Sequence, residues 1–288
     1  MAVAPLSLLS VHAHPDDESS KGAGTIRRYA DEGVRTTLVC CTHGEEGDIL
    51  NPELDVEEVK ANLTDVRLRE LEDAVAVIGY DRIHLLGYRD SGMADSESNE
   101  HPECFHRAPM DEAVGRLVQV IREERPQVVV TYSDDQSGYP HPDHLKVHDI
   151  SIIAFDRAAD PDAYPELGEP WQPLKLYYSV WARARMVATH EAFGELGLES
   201  PFDEKWFDRP DQDHRITSQV RVDNDIRRRA LLCHRTQIDP TSPFWFGLPD
   251  DVQRRIHPFD DYILARSLVE APTPEVDLFA GVRETVAT

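Results

Sequence analysis

Three apolar runs, residues 6–11, 36–42 and 128–132, carry almost no polar face, and helical patterns separate them. A strand that meets water on one side alternates, so near-continuous strands call for a sheet covered on both faces. The intervening stretches have helical spacing: residues 21–32, a long pattern through Val66, Leu68, Leu71, Ala74 and Ile78, then 110–124 and 144–159. Residues 83–86 read as a short strand, and Gly33 and Gly79 mark helix ends. This βαβ rhythm predicts an α/β fold: a Rossmann-like, mostly parallel sheet with helices on both faces, right-handed crossovers and a C-terminal extension. In the later region 175–180 reads as a strand, 224–234 as a helix and 259–267 as a last element, while 199–213, rich in Pro, Asp and aromatics, reads as a loop or cap.

Charge and cysteine content narrow the function. A net charge of −24 over 288 residues argues against a nucleic-acid partner, because phosphate binding requires a basic footprint. No segment is long and apolar enough to span a bilayer, and residues 1–10 lack a basic leader, so they read as a buried strand and not a signal peptide. Cys40, Cys41, Cys104 and Cys233 show no CxxC spacing, which fits reduced thiols in the cytoplasm.

Two histidine–aspartate turns follow strand-like runs: His12-Ala13-His14-Pro15-Asp16-Asp17-Glu18, and Tyr139-Pro140-His141-Pro142-Asp143-His144. The carboxyl ends of strands in open α/β sheets are where ligands bind. Taken alone, Asp16 and Asp17 fit helix N-terminal carboxylates beside a proline. A second such turn, after another strand, favours a metal site. His14 and Asp17, three apart in a tight turn, can reach one ion, and His144 completes a two-histidine, one-aspartate set suited to Zn²⁺, and also to Fe²⁺. Asp16 is then free to act as a base on water, and His141, oriented by Asp143, as an acid or oxyanion stabiliser, with Tyr139 as a further donor.

With these motifs the chain resembles the LmbE-type zinc amidases and deacetylases over nearly its whole length. The resemblance implies a metal on His14, Asp17 and His144, Asp16 as general base and His141 as general acid or oxyanion stabiliser. It further implies that Asp48, Arg67 and Asp90 bind the sugar and inositol end of a substrate; by themselves Arg67 reads as a helix-surface cation beside Glu70, and Asp90 as a turn residue. Lys21, the segment His234-Arg235-Thr236-Gln237-Ile238-Asp239-Pro240, and the stretches 164–171 and 197–202 resemble the branch that cleaves the amide of mycothiol S-conjugates. The sister branch deacetylates N-acetylglucosaminyl-inositol, and related hydrolases serve secondary metabolism. His43, and the absence of paired glycines in 133–138, depart from the family pattern and bear on where Tyr139 sits.

The expectation is therefore a hydrolase of C–N bonds in a small thiol-sugar conjugate, compatible with assembly into a homo-oligomer. It is read as a single domain, 1–288, with a metal-binding core in 1–160 and an extension, 161–288, that forms part of the substrate pocket. A dinucleotide-binding module without catalysis would need a G-x-G-x-x-G turn after the first strand, where this chain has His-Pro-Asp-Asp.

Overall fold

A computed structural model describes residues 5–208 and 211–286. Strands β1 (Ser7–His12), β2 (Arg35–Thr42), β3 (Arg82–Tyr88), β4 (Val128–Tyr132), β5 (Lys175–Val180), β6 (Ser218–Arg221) and β7 (Phe259–Ser267) form one sheet in the order β3-β2-β1-β4-β5-β7-β6. The first five are parallel to one another, and β7 runs antiparallel to both β5 and β6. This is the mostly parallel α/β sheet that the apolar runs predict.

The chain moves outward from β1 through β2 to β3, then returns to place β4 on the other side of β1. Ser10 of β1 thus lies between Leu38 of β2 and Val130 of β4. That reversal opens a crevice beyond the carboxyl ends of β1 and β4, the position where sheets of this kind bind ligands. Both histidine–aspartate turns leave from these two strands, so the topology alone makes them neighbours.

Successive residues of each central strand serve opposite cores. Leu9, Val11, Val39 and Val129 face the helices Met110–Glu124 and Pro142–Arg157. Leu8, Leu38, Val128 and Val130 face Ala23–Asp31, Leu63–Ile78 and Asn224–Leu231. Burial of both faces explains why polar alternation is missing from the strands. Gly79 ends the Leu63–Ile78 helix in the left-handed region, φ 94°, donating its N–H to Val75 O at 2.7 Å.

Beyond residue 160 the sheet continues without a break, because β5 pairs directly with β4. Several elements of this half are not anticipated, the Arg183–Glu195 helix and β6 among them. In the Arg183–Glu195 helix only Ala192 and Phe193 are buried, so it shows no apolar stripe to read. Strand β6 has four residues, too few for alternation to be distinctive. The expected loop 199–213 contains a short helix, Glu204–Phe207, and residues 209 and 210 lie outside the described residues. Among the described residues no helix is long and apolar enough to cross a membrane.

Candidate metal centre

The first turn folds back on itself at once: His14 N–H donates to Asp17 Oδ2 at 3.0 Å, and Asp17 opens the helix Asp17–Ser20. The second turn ends in Pro142–Arg157, with His141 as its cap and Pro142 at its start, where a missing N–H costs nothing. Asp17 Oδ2 lies 3.4 Å from His14 Nδ1 and 3.3 Å from His144 Nε2. Ligand atoms about 2.1 Å from a tetrahedral ion stand roughly 3.4 Å apart, so each of these two pairs has the spacing of atoms on a shared metal. The ring nitrogens of His14, His141 and His144 also come within 4.8 Å of one another.

Charge around these atoms favours a cation. Burial opposes ionisation of Asp17, but Lys21 Nζ at 2.6 Å and the two imidazoles hold its pKa well below 3.8. Burial lowers His144 to about 4 and keeps the ring neutral, the form that ligates a metal. His14 is also buried, yet the carboxylates of Asp90, Asp143 and Asp17 raise its pKa well above 6.5; the same concentration of negative charge attracts a bound ion. His14 Nε2 donates to Asp143 Oδ2 at 3.2 Å and lies 3.4 Å from Asp90 Oδ1, which leaves Nδ1 turned toward Asp17. A carboxylate behind a histidine fixes the tautomer and orients the ring for a metal.

Asp143 therefore orients a histidine other than the expected one. Its carboxylate is locked by the N–H of Ser91 at 2.9 Å and by the Ser91 hydroxyl, and it points at His14; only its backbone N–H faces His141, donating to Nδ1 at 3.2 Å. With its oxygens taken by Ser91 and His14, the Asp143 carboxylate is turned away from His141. Since Nδ1 of His141 accepts, the neutral ring carries its proton on Nε2, and burial together with His14 lowers the pKa below 6.5.

Asp16 adopts φ 116°, a strained conformation for a residue with a side chain. Its N–H donates to Glu18 Oε2 at 2.8 Å, and Arg67 Nη2 donates to its carboxylate at 3.1 Å. Burial pushes the Asp16 carboxyl up to about 6 against the opposing pull of Arg67. Arg67 is 2% exposed and also donates to Pro15 O at 2.5 Å and to Gly44 O. It is an interior clamp between the two loops and not a helix-surface cation. A Cβ on Gly44 or Gly47 would collide with its guanidinium, which is why that loop reads Gly-Glu-Glu-Gly.

The other expected residues divide. Lys21 pairs with Asp17 and stands 5.4 Å from the centre of the Tyr132 ring. Asp90 is 4% exposed and lies at His14, whereas Asp48 is exposed in the loop above Arg67. Tyr139 is 57% exposed, its ring centre 6.1 Å from that of His141. Four supporting residues had been given no role of their own. Ser91 holds Asp143. Tyr132 stacks on His144 at 4.4 Å and accepts the Ala13 N–H at 3.0 Å. Glu18 and His234, both fully buried, pair at 2.7 Å. Two residues on, Thr236 donates to Glu70 through its N–H at 2.9 Å and its hydroxyl at 2.7 Å, so the 234–240 segment is tied beneath the first turn.

A cavity of about 560 Å³ opens beside His144 and Lys21 and extends between Tyr139 and the rings of Trp181 and Phe244.

Known proteins resemble this chain along most of its length. The family model described as PIG-L, GlcNAc-PI de-N-acetylase, matches residues 9–155, a span that includes both turns. The mycothiol S-conjugate amidase of Streptomyces coelicolor is 44% identical over 290 residues, covering 97% of this chain and 98% of that protein. The 1D-myo-inositol 2-acetamido-2-deoxy-alpha-D-glucopyranoside deacetylase of Geodermatophilus obscurus is 40% identical, covering 96% and 97%. In fold, the chain matches N,N'-diacetylchitobiose deacetylase from Pyrococcus horikoshii with a TM-score of 0.60 at 17% identity, covering 91% of this chain and 85% of that one. From a family model that spans half of the chain and relatives similar along nearly their full length, this chain belongs to the PIG-L family, to which the LmbE-type resemblance of its motifs also points.

Proposed function

We propose that this protein is a metal-dependent amidase that cleaves mycothiol S-conjugates into glucosaminyl-inositol and a mercapturic acid, with zinc on His14, Asp17 and His144. The observation that carries the reading is the convergence of those three side chains with Asp16 beside them. The 44% identity with the Streptomyces coelicolor amidase supports the substrate. Fe²⁺ suits the same donors.

Bound there, a divalent ion would polarise the scissile carbonyl and lower the pKa of water. Asp16 accepts the proton of the attacking water as its oxygen bonds to the amide carbon. Arg67 keeps that carboxylate aimed and ionised, a positioning role in place of sugar binding. The carbonyl oxygen gains charge beside the Nε2–H of His141, with the Tyr139 hydroxyl as a second donor. A proton delivered to nitrogen by Asp16 or His141 lets the C–N bond break. Asp143 acts through His14. Lys21, Asp48 and Asp90 are assigned to the substrate, and the residues after 160 to the far wall of its pocket. We assign the enzyme to the cytoplasm, with a small thiol-sugar conjugate as partner.

Deacetylation of N-acetylglucosaminyl-inositol is the second reading, favoured by the family description and by the 40% identical Geodermatophilus obscurus deacetylase. Zinc-loaded protein given both substrates in one tube, with a chelated control, separates them by mass spectrometry. Chelator-sensitive release of mercapturic acid ahead of acetate is expected; faster acetate release moves the protein to the second reading, and cleavage of neither removes both.

A further inference from the structure

We propose that the cavity beside the metal centre is a binding site for an aromatic or bulky apolar group carried on the sulfur of the substrate's acyl portion, with Trp181, Trp206, Phe244 and Trp245 as its wall. The inference rests on the amidase reading, since only an S-conjugate would deliver such a group to this position.

The two flanks of the centre differ in chemistry. Around His14 lie Asp90, Asp143 and Ser91, with Glu45 accepting the Asp90 N–H at 3.2 Å; these groups suit hydroxyls. Beyond His144 the cavity has a polar side, with Gln136, Arg183 and Gln212, and a side made of rings. Phe244 is at their middle, 5.9 Å from Trp181 in a stacked arrangement, 4.7 Å from Trp245 edge to face and 5.8 Å from Trp206. None of the four belongs to the two buried clusters that flank the sheet, and all remain partly exposed. An amide lying across the centre with its polyol toward the carboxylates sends its acyl portion toward these rings.

Size and construction agree. At about 560 Å³ the cavity falls within the roughly 300–1,000 Å³ of sites that enclose drug-sized molecules, and an acetyl group would leave most of it empty. Trp181 follows the end of β5, while Trp206 and the pair Phe244 and Trp245 stand on four-residue helices from remote parts of the chain. A wall assembled from short segments can adapt to substituents of different shape.

Three of the four tryptophans line this cavity, and the fourth, Trp171, bonds to Pro126 O at 2.7 Å before β4, so intrinsic fluorescence reports largely on the site. The zinc-loaded full chain is titrated with S-benzyl-N-acetylcysteine and with S-methyl-N-acetylcysteine, followed by fluorescence and calorimetry. The benzyl compound is expected to bind about tenfold more tightly, as a single large apolar contact allows. The corresponding mycothiol conjugates should show the same preference in KM, and Phe244→Ala and Trp245→Ala should reduce it while zinc content holds. Equal binding of the two compounds by the unaltered protein, without a fluorescence change, overturns the site even if conjugates are hydrolysed. Tight benzyl binding with no conjugate turnover leaves an apolar pocket but rejects the amidase reading, and with it a sulfur-borne group as the occupant.

Discussion

At the carboxyl ends of β1 and β4, side chains are held by paired charges: Asp17 between Lys21 and two imidazoles, Asp16 against Arg67, Asp143 on Ser91 and His14, Glu18 on His234. On the far side of His144, Trp181, Trp206, Phe244 and Trp245 meet one another as rings, at interplanar angles from 14° to 87°. The first region hangs from regular strands and the starts of helices; the second sits on a strand end and four-residue helices. Groups that ligate an ion or move a proton need directional bonds to fix them, whereas an apolar wall needs only surface, which tolerates rearrangement. The contrast makes the polar region brittle and the aromatic region forgiving.

The widest test of that contrast lies inside the polar region. Asp16→Asn should lower kcat by about 10²–10⁴-fold while metal content stays at the unaltered level, because a general base is lost but no ligand. His14→Ala should lose metal and turnover together. Normal turnover in Asp16→Asn, read beside a metal assay, would end the general-base role.

His234→Ala comes next, with an expected loss on the order of 3 kcal/mol in denaturant unfolding from stranding Glu18. Burial opposes both charges, but each partner outweighs it: Glu18 is lowered from its ordinary 4.5 and His234 raised from 6.5. A lowered carboxyl contributes stability above 4.5 that fades as pH falls through its folded value, and a raised imidazole contributes below 6.5, fading as pH rises through its own. The difference between variant and parent should therefore be greatest between pH 4.5 and 6.5 and shrink on either side. A pH-independent difference would mean that the pair is not ionised.

Asp143→Asn removes the carboxylate behind His14, and metal affinity should fall by about 10–100-fold in a competition titration with a chelator. If His141 lost its orientation while zinc affinity held, the expected His141 partnership would be restored. The smallest effect belongs to the aromatic region: Phe244→Leu should cost less than about 1.5 kcal/mol and leave metal content unchanged. A cost equal to that of His234→Ala would show that the rings act as core, and the contrast would fail.

Residues 110–124, 128–132 and 175–180 were legible to the residue, because strands buried on both faces and helices with one apolar face leave a local periodic record, while for 259–267 the bounds were legible and the type was not. The Arg183–Glu195 helix and β6 left none, one for want of a stripe and the other for want of length. The sequence by itself determined the parallel βαβ order and the two histidine–aspartate turns after strands. The tertiary structure alone decided that Asp143 serves His14, that Arg67 lies inside as a clamp, that Glu18 meets a histidine 216 residues away, and that rings from three distant segments enclose one cavity. Periodicity records which face of an element is buried, whereas the partner of a polar or aromatic group depends on which remote segment the sheet brings against it.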